Sequence, residues 1–523
     1  MFDFFSDVPR ADRRLMEGAF AAAEASPDPM LAMLHLLGAC GSPDAAVAER
    51  AGRELALRLR KVPVDWLPLY DEGVRRKAGY YGLYGLVRPA LPGWMMKRDA
   101  VGRLRLSGEA ALPALALLSM HPDGYVREAA VAALEAHEGG AELPYLLLRA
   151  NDWVEPIRKR VWRALHFRFK PRYAEAWVRS LPLVMRLLDA KRDDHRVLVS
   201  RVREHLAGEP ESRSALMAGL ASPHPVMRRT CFGILADSLN PGDAVRLGLA
   251  NGDPVVRLLA ARAAERLKPD EFAAIVPLML LDRFAAVRTQ AAVFAERAGD
   301  EALLSAAALD ASATPRGIAA AGLARRGIDV AALYRAAVGG DEGTLVGAVA
   351  GLGERGAADD VETVARFLEH PRGRVREAAV EAYARLAGGD AAPVLARMLG
   401  DAAPSVSRAA MRALERRRMW GDAAALEALY APANPPHVRA NALRLMSHGG
   451  RWAGIIPVLR ALCDGEPRVA ATALGYLRRW MHLQRSAHVP ASAAEHEGFL
   501  AALDQYGGCF ADPELVAELR KFR

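Results

Sequence analysis

Apolar residues recur along this chain in short phrases spaced i, i+4, i+7 and i+8, each preceded by polar turn residues and a second apolar segment. VREAAVAAL at 126–134 returns as IRKRVWRAL (157–165), VRLLAARAA (256–264), VRTQAAVFA (287–295), VREAAVEAY (375–383), VSRAAMRAL (406–414) and VRANALRLM (438–446). A looser copy, MRRTCFGIL, stands at 227–235, and His195-Arg196 fills the gap before it. Degenerate copies around Arg316 and 344–352 fill the other gap. Neighbouring copies lie about 30 residues apart, the signature of a repeat array. The internal spacing puts the Val, both Ala and the Leu on one face of a helix.

A second helical segment precedes each phrase: LPALALL (112–118), LPYLLL (143–148), LPLVMRLLD (181–189), VPLMLLD (276–282), APVLARML (392–399) and IPVLRALCD (455–463). Proline suits a first helical turn, where its missing N–H has no intrahelical acceptor, so these prolines predict helix starts. Between the segments lie Asp, Asn, Pro and Gly, as in NGDPVV (251–256), which stop one helix and cap the next. Strand-like alternation of Val, Ile, Thr and Tyr is missing, while Ala, Leu, Arg and Glu favour helix. The expectation is an all-α chain.

These phrases resemble the HEAT-repeat family, in particular its short form named after phycobilisome lyases, with a D-x-x-V-R-x-x-A-x-x-A-L core. The resemblance implies antiparallel helix pairs stacked as an α-solenoid, a right-handed superhelix of about 12–14 repeats whose second helices line a concave side. It divides the chain into an N-terminal helical cap (1–40), a solenoid (41–485) and a C-terminal helical cap (486–523). The resemblance also assigns the Arg after the Val a structural tie to the preceding loop aspartate, as Asp253/Arg257 or Asp464/Arg468.

The position six after the Val belongs neither to the core nor to that tie. It holds Ala132, Arg163, Arg201, Gly233, Arg262, Val293, Glu381, Arg412, Arg444 and Gly475, so half are Arg. This is either a solvated face or a ridge for an anionic partner. The densest basic and aromatic segment runs from 153 to 179, WVEPIRKRVWRALHFRFKPRYAEAWVR. Lys159, Arg160, Arg163, Arg168, Lys170, Arg172 and Trp177 are its candidate partner-binding residues, joined by Arg201, Arg262, Arg412 and Arg444 of the stripe. Such a mixture makes protein hot spots, and it also neutralises phosphates and stacks on bases. A second cluster, Trp66, Tyr70, Arg75, Arg76, Lys77, Tyr80, Tyr81, Tyr84 and Trp94, reads mainly as packing because several members fall on helical core positions.

The chain has 523 residues, 52% of them hydrophobic and 7% aromatic, with a formal net charge of +8. A basic balance favours acidic proteins, nucleic acid or anionic surfaces, although Arg, Ala and Gly rise together here as GC-rich codons would make them. Cys40, Cys231, Cys463 and Cys509 are far apart in sequence and form no CxxC pair, so neither a zinc module nor a disulfide framework is expected. No stretch approaches the roughly 20 apolar residues of a membrane span, and the acidic start does not read as a signal peptide. A cytoplasmic, bacterial protein is the expectation.

Enzyme motifs fail in context. The GxGxxG match at Gly351, Gly353 and Gly356 follows a helical segment rather than a strand, and no GK dipeptide or GxSxG occurs. His137-Glu138 and His496-Glu497 each begin an HExxH that ends on Ala141 or Leu500. The remote enzymatic alternatives come from HEAT-like lyases and DNA glycosylases; the latter would use Trp153, Trp162 and Asp152. No cofactor, metal or small-molecule substrate is expected. The leading expectation is a non-catalytic scaffold that engages a protein partner with an acidic patch; nucleic-acid binding through 153–179 and the Arg stripe is the alternative.

Overall fold

The computed structural model describes residues 14, 16–83, 92–420, 422–486, 490–510 and 512–522. Among them every regular element is an α-helix or a short 3-10 turn. The phrases form helices at Gly124–Glu135, Glu155–His166, Pro225–Ser238, Pro254–Ala263, Ala285–Ala298, Gly373–Leu386, Pro404–Arg416 and Pro436–Met446. Val126, Ala130 and Leu134 are wholly buried, as the spacing requires, while Ala133 of the same pattern is half-buried and Val131, off the pattern, is buried as well. Loop aspartates start several helices: Asp123 Oδ1 accepts from Tyr125 N and Asp253 Oδ1 from Val255 N.

Proline behaves in two ways. Pro113, Pro144 and Pro393 stand in the first turns of Leu112–Leu118, Leu143–Ala150 and Ala392–Leu399, as expected. Pro182 and Pro277 instead lie inside Ala174–Arg186 and Pro269–Leu280. An interior proline costs roughly 3 kcal/mol. In the first case the helix runs through it because Trp177, Leu181, Leu183 and Val184 on either side are all buried.

Contacts group the chain into two units, residues 1–271 and 272–523. Each has its own apolar core. Within each unit consecutive phrase helices touch one another: Gly124–Glu135 packs on Glu155–His166 in the first, and Gly373–Leu386, Pro404–Arg416 and Pro436–Met446 pack in series in the second. The glycines of the dinucleotide look-alike are packing residues in the helix Leu345–Arg355. A Cβ on Gly351 would fall 2.3 Å from the Tyr334 ring, and one on Gly353 would fall 2.4 Å from Ala382 Cα. Those contacts let the helices approach closely and leave no phosphate cradle.

The arginine of each phrase corrects the expected tie. Arg127, Arg228, Arg288, Arg376 and Arg439 reach forward to the aspartate of the next repeat rather than to their own loop, and Arg316 reaches forward to Glu354. Arg127 donates to both Asp152 oxygens (2.9 and 3.0 Å), Arg376 to both Asp401 oxygens (2.8 and 2.8 Å) and Arg288 to both Asp310 oxygens (2.6 and 2.9 Å). Asp253 receives Arg228 and Arg229, and Asp464 receives Arg439 and the Tyr430 hydroxyl. The loop preceding each Arg supplies carbonyls instead: Arg127 Nη1 donates to His121 O and Pro122 O, and Arg257 Nη1 to Asn251 O and Gly252 O. Each guanidinium thus bolts its own turn to the following one with charge-assisted bonds.

Candidate binding surface

The basic and aromatic segment divides by burial. Trp177 is 0% exposed, stacks on Phe169 at 4.9 Å and donates Nε1 to Arg168 O at 2.8 Å. Arg168 is 3% exposed, donates to Glu142 at 2.7 Å and caps carbonyls of Ala164 and Glu135. Both are internal, so the expectation that they face a partner is corrected. Their polar heads were needed inside, to satisfy carbonyls where the chain turns between Glu155–His166 and Ala174–Arg186.

Three further candidates are surface residues already engaged in ion pairs. Lys159 meets Glu155 at 2.7 Å, Arg160 meets Glu135 at 2.9 Å and Arg172 meets Glu138 at 2.6 Å. Arg444 is held by both oxygens of Glu415 (2.8 and 3.0 Å). Arg163, Lys170, Arg201, Arg262 and Arg412 are exposed. Among the described residues no carboxylate pairs with these five, and Arg201 lies over the Phe169 ring at 5.0 Å. The stripe and the tie therefore differ in kind, since the tie arginines are neutralised and most stripe arginines keep their charge in solvent.

Elements distant in sequence assemble a second feature around Trp153, in the first unit. Trp153 sits in the loop before Glu155–His166 and is 56% exposed. Three guanidiniums surround its ring, Arg75 at 4.9 Å, Arg127 at 5.5 Å and Arg192 at 5.7 Å from the centroid. Beside it opens a cavity of about 880 Å³. Its basic lining is Arg75, Arg149, Arg186, Lys191 and Arg192, against the acidic Asp71, Glu72 and Asp189. Leu147, Leu183 and Leu187 supply apolar wall.

Part of the cavity wall belongs to a charge cluster. Arg149 donates to Asp71 at 2.6 Å and to Asp152 at 2.9 Å, and Arg75 chelates Asp71 at 3.0 and 3.1 Å. Arg127 completes Asp152, whose side chain is wholly buried. Burial alone would raise the Asp152 carboxyl, but the Arg127 hydrogen bond and the Arg149 charge outweigh it and hold it below the usual carboxylate range. A carboxylate with both oxygens committed in this way is no free acid or base, which removes the residue a glycosylase would need. Desolvation, with repulsion from Arg149, pushes Arg75 below the ordinary guanidinium value.

Sequence reasoning singled out Trp153 but passed over Arg149, Lys191 and Arg192, and read Arg75 as packing. Their sequence signals are single charges on separate helices and loops; only folding brings them together. Tyr84 of that N-terminal cluster lies outside the described residues, as do the side chains of Lys77, Tyr80 and Tyr81. Among the described residues no helix is long and apolar enough to cross a membrane, and no group of three His, Cys, Asp or Glu is placed to hold a metal ion.

Residues 330–415 and 364–446 match the family model described as HEAT repeats. No curated protein sequence matches the chain. Similar solved structures include the S. pombe condensin Cnd3-Cnd2 subcomplex, at 14% identity over 100% of this chain and 80% of that one, with a TM-score of 0.30. Another is the karyopherin Kap121p bound to the SUMO protease Ulp1p, at 12% identity over 99% of this chain and 76% of that one, TM-score 0.25. A third is a tumor overexpressed gene (TOG) domain array of microtubule polymerases, at 11% identity over 74% of this chain and 98% of that one, TM-score 0.21. Likeness at this level bears on neither partner nor activity.

Proposed function

We propose that this chain, whose residues 330–446 match HEAT repeats, is a non-catalytic scaffold that engages a protein partner bearing an acidic patch. The observation that carries this reading is the contrast between the two arginine sets. In the first unit Arg163, Arg201 and Arg262 stand exposed at equivalent repeat positions, and in the second Arg412 does the same, while the arginines one position after the Val are tied off. Uncommitted guanidiniums repeated on a stack of helices offer an extended, bidentate surface for carboxylates. In this reading the helices Pro29–Ala39 and Ala493–Tyr506 serve as caps of the array and leave the phrase helices as the binding face.

The burial of Trp177 and Tyr173 weighs against the nucleic-acid alternative, because it withdraws two of the segment's rings and leaves only Trp153 and Phe167 of the described aromatics there well exposed. The test is a tagged pull-down from the native host, divided into nuclease-treated and untreated halves and read by mass spectrometry. The expected result is one protein recovered equally from both halves and lost from the Arg163→Glu, Arg201→Glu, Arg262→Glu variant. Recovery that collapses after nuclease treatment, or that survives the triple charge reversal unchanged, overturns the reading.

A further inference from the structure

We infer that the cavity beside Trp153 is a docking pocket for an acidic peptide segment, one that carries a carboxylate next to a bulky apolar side chain. This rests on the scaffold reading and names a discrete anchor for it, separate from the exposed stripe.

The first argument is charge. In and behind the cavity wall, three guanidiniums, those of Arg75, Arg127 and Arg149, share two carboxylates, those of Asp71 and Asp152. Arg149 is 1% exposed, yet its Nε has no hydrogen-bond partner. Buried cations are stable when charge and donors are matched, and here one positive charge and one donor are left over. Arg75, lowered first by desolvation, is lowered further by repulsion from Arg149 that has the same origin. At the mouth, Lys191 and Arg192 are exposed, and Arg192 is steadied by donating Nη1 to Asn151 O at 3.1 Å. An incoming carboxylate supplies the negative charge that the cluster lacks.

The second argument is shape. The wall contains Leu147, Leu183 and Leu187, and the exposed Trp153 ring stands at its edge, so the cavity offers apolar contact directly beside its basic groups. Rigid aromatic residues among arginines are the usual anchors of protein interfaces. The acidic wall residues Asp71, Glu72 and Asp189 limit the positive excess, which suits one or two carboxylates and disfavours a polyphosphate or a nucleic-acid strand.

The experiment uses the full chain and a fluorescein-labelled peptide that alternates Glu with Leu and Phe, read by fluorescence anisotropy. Comparison peptides replace each Glu by Gln, or each Leu and Phe by Ala. The acidic apolar peptide is expected to bind, both comparison peptides to bind at least about tenfold more weakly, and Lys191→Glu and Arg192→Ala each to weaken binding by about tenfold or more. Lys191 is an exposed side chain, so its variant keeps the fold; thermal melting verifies both variants. No binding, equal binding of the Gln peptide, or binding indifferent to both variants overturns the pocket. Binding of inorganic phosphate, read by isothermal titration calorimetry, without any peptide binding would instead assign a small-anion site and also overturn it. If the host partner is still captured by Lys191→Glu and lost from the stripe variant, the pocket fails while the scaffold stands; loss of capture from neither variant fails the scaffold itself.

Discussion

At the position of the phrase arginine, two joints between successive repeats solve the same problem with opposite chemistry. In the first unit, Gly124–Glu135 is fastened to Glu155–His166 by Arg127 and Asp152, both side chains wholly buried, with Arg149 and Arg75 drawn into the cluster. In the second unit, Pro404–Arg416 is fastened to Pro436–Met446 by Ser407 and Asn441. Ser407 Oγ donates to Leu399 O at 2.6 Å, and Asn441 Nδ2 donates to Ser407 Oγ at 2.9 Å. The loop ahead of the second of these helices reads APANPP and has no aspartate, so an arginine at 407 would find no carboxylate there. Both partners of the tie are absent together. At this position the fold therefore needs a satisfied polar bridge and not a charged one, although Arg444 and Glu415 form an ion pair elsewhere between the same two helices. What the charged version adds is a site: the cluster around Asp152 underlies the Trp153 cavity, whereas the Ser407 bridge is closed and neutral.

The largest effect that tests this contrast is Asp152→Ala. Removing one member of a buried ion cluster leaves guanidiniums without a counter-charge, for a loss of about 3–5 kcal/mol at neutral pH, measured by urea unfolding. A loss as small as that of an ordinary surface substitution would mean that the cluster is solvated. Acidification sharpens the comparison. The Asp152 carboxyl titrates below its unfolded value of about 3.9, so its contribution is complete above that pH and disappears as pH falls through the lower folded value. The cost of Asp152→Ala is expected to shrink over that acid range, while the cost of changing the neutral bridge stays constant. The smallest effect is Ser407→Ala, a loss of about 1–2 kcal/mol from one buried donor and a half-buried amide without its acceptor. If Ser407→Ala equalled Asp152→Ala, the two joints would not differ in the way described.

The helical repeats were legible because a helix writes its buried face into local spacing: Val126, Ala130 and Leu134 can be aligned by eye with Val375, Ala379 and Tyr383. The proline starts were legible only where no helix-forming stretch preceded them. Pro182 and Pro277 misled because Ala174–Trp177 and Glu271–Ile275 could themselves continue the helix. The partner of each phrase arginine was misplaced by one repeat. Asp253 lies four residues before Arg257 and 25 after Arg228, and nothing in the sequence ranks the distant pairing above the near one. Stacking does, since it brings the next loop within reach of the guanidinium. Trp177 and Arg168 failed for a related reason, because composition names the side chains of a segment and not the directions in which they point.

By itself, then, the sequence determined that the chain is helical, that its helices come in pairs of repeating pattern, and that it carries excess positive charge; each of these follows from short-range periodicity or from simple counting. The tertiary structure alone decided which arginines are neutralised, which aromatic rings are withdrawn, and that Arg75, Arg149, Trp153 and Arg192 share one cavity. Charge pairing and burial depend on distances between residues far apart along the chain. Those distances are set when helices pack, and no local pattern records them.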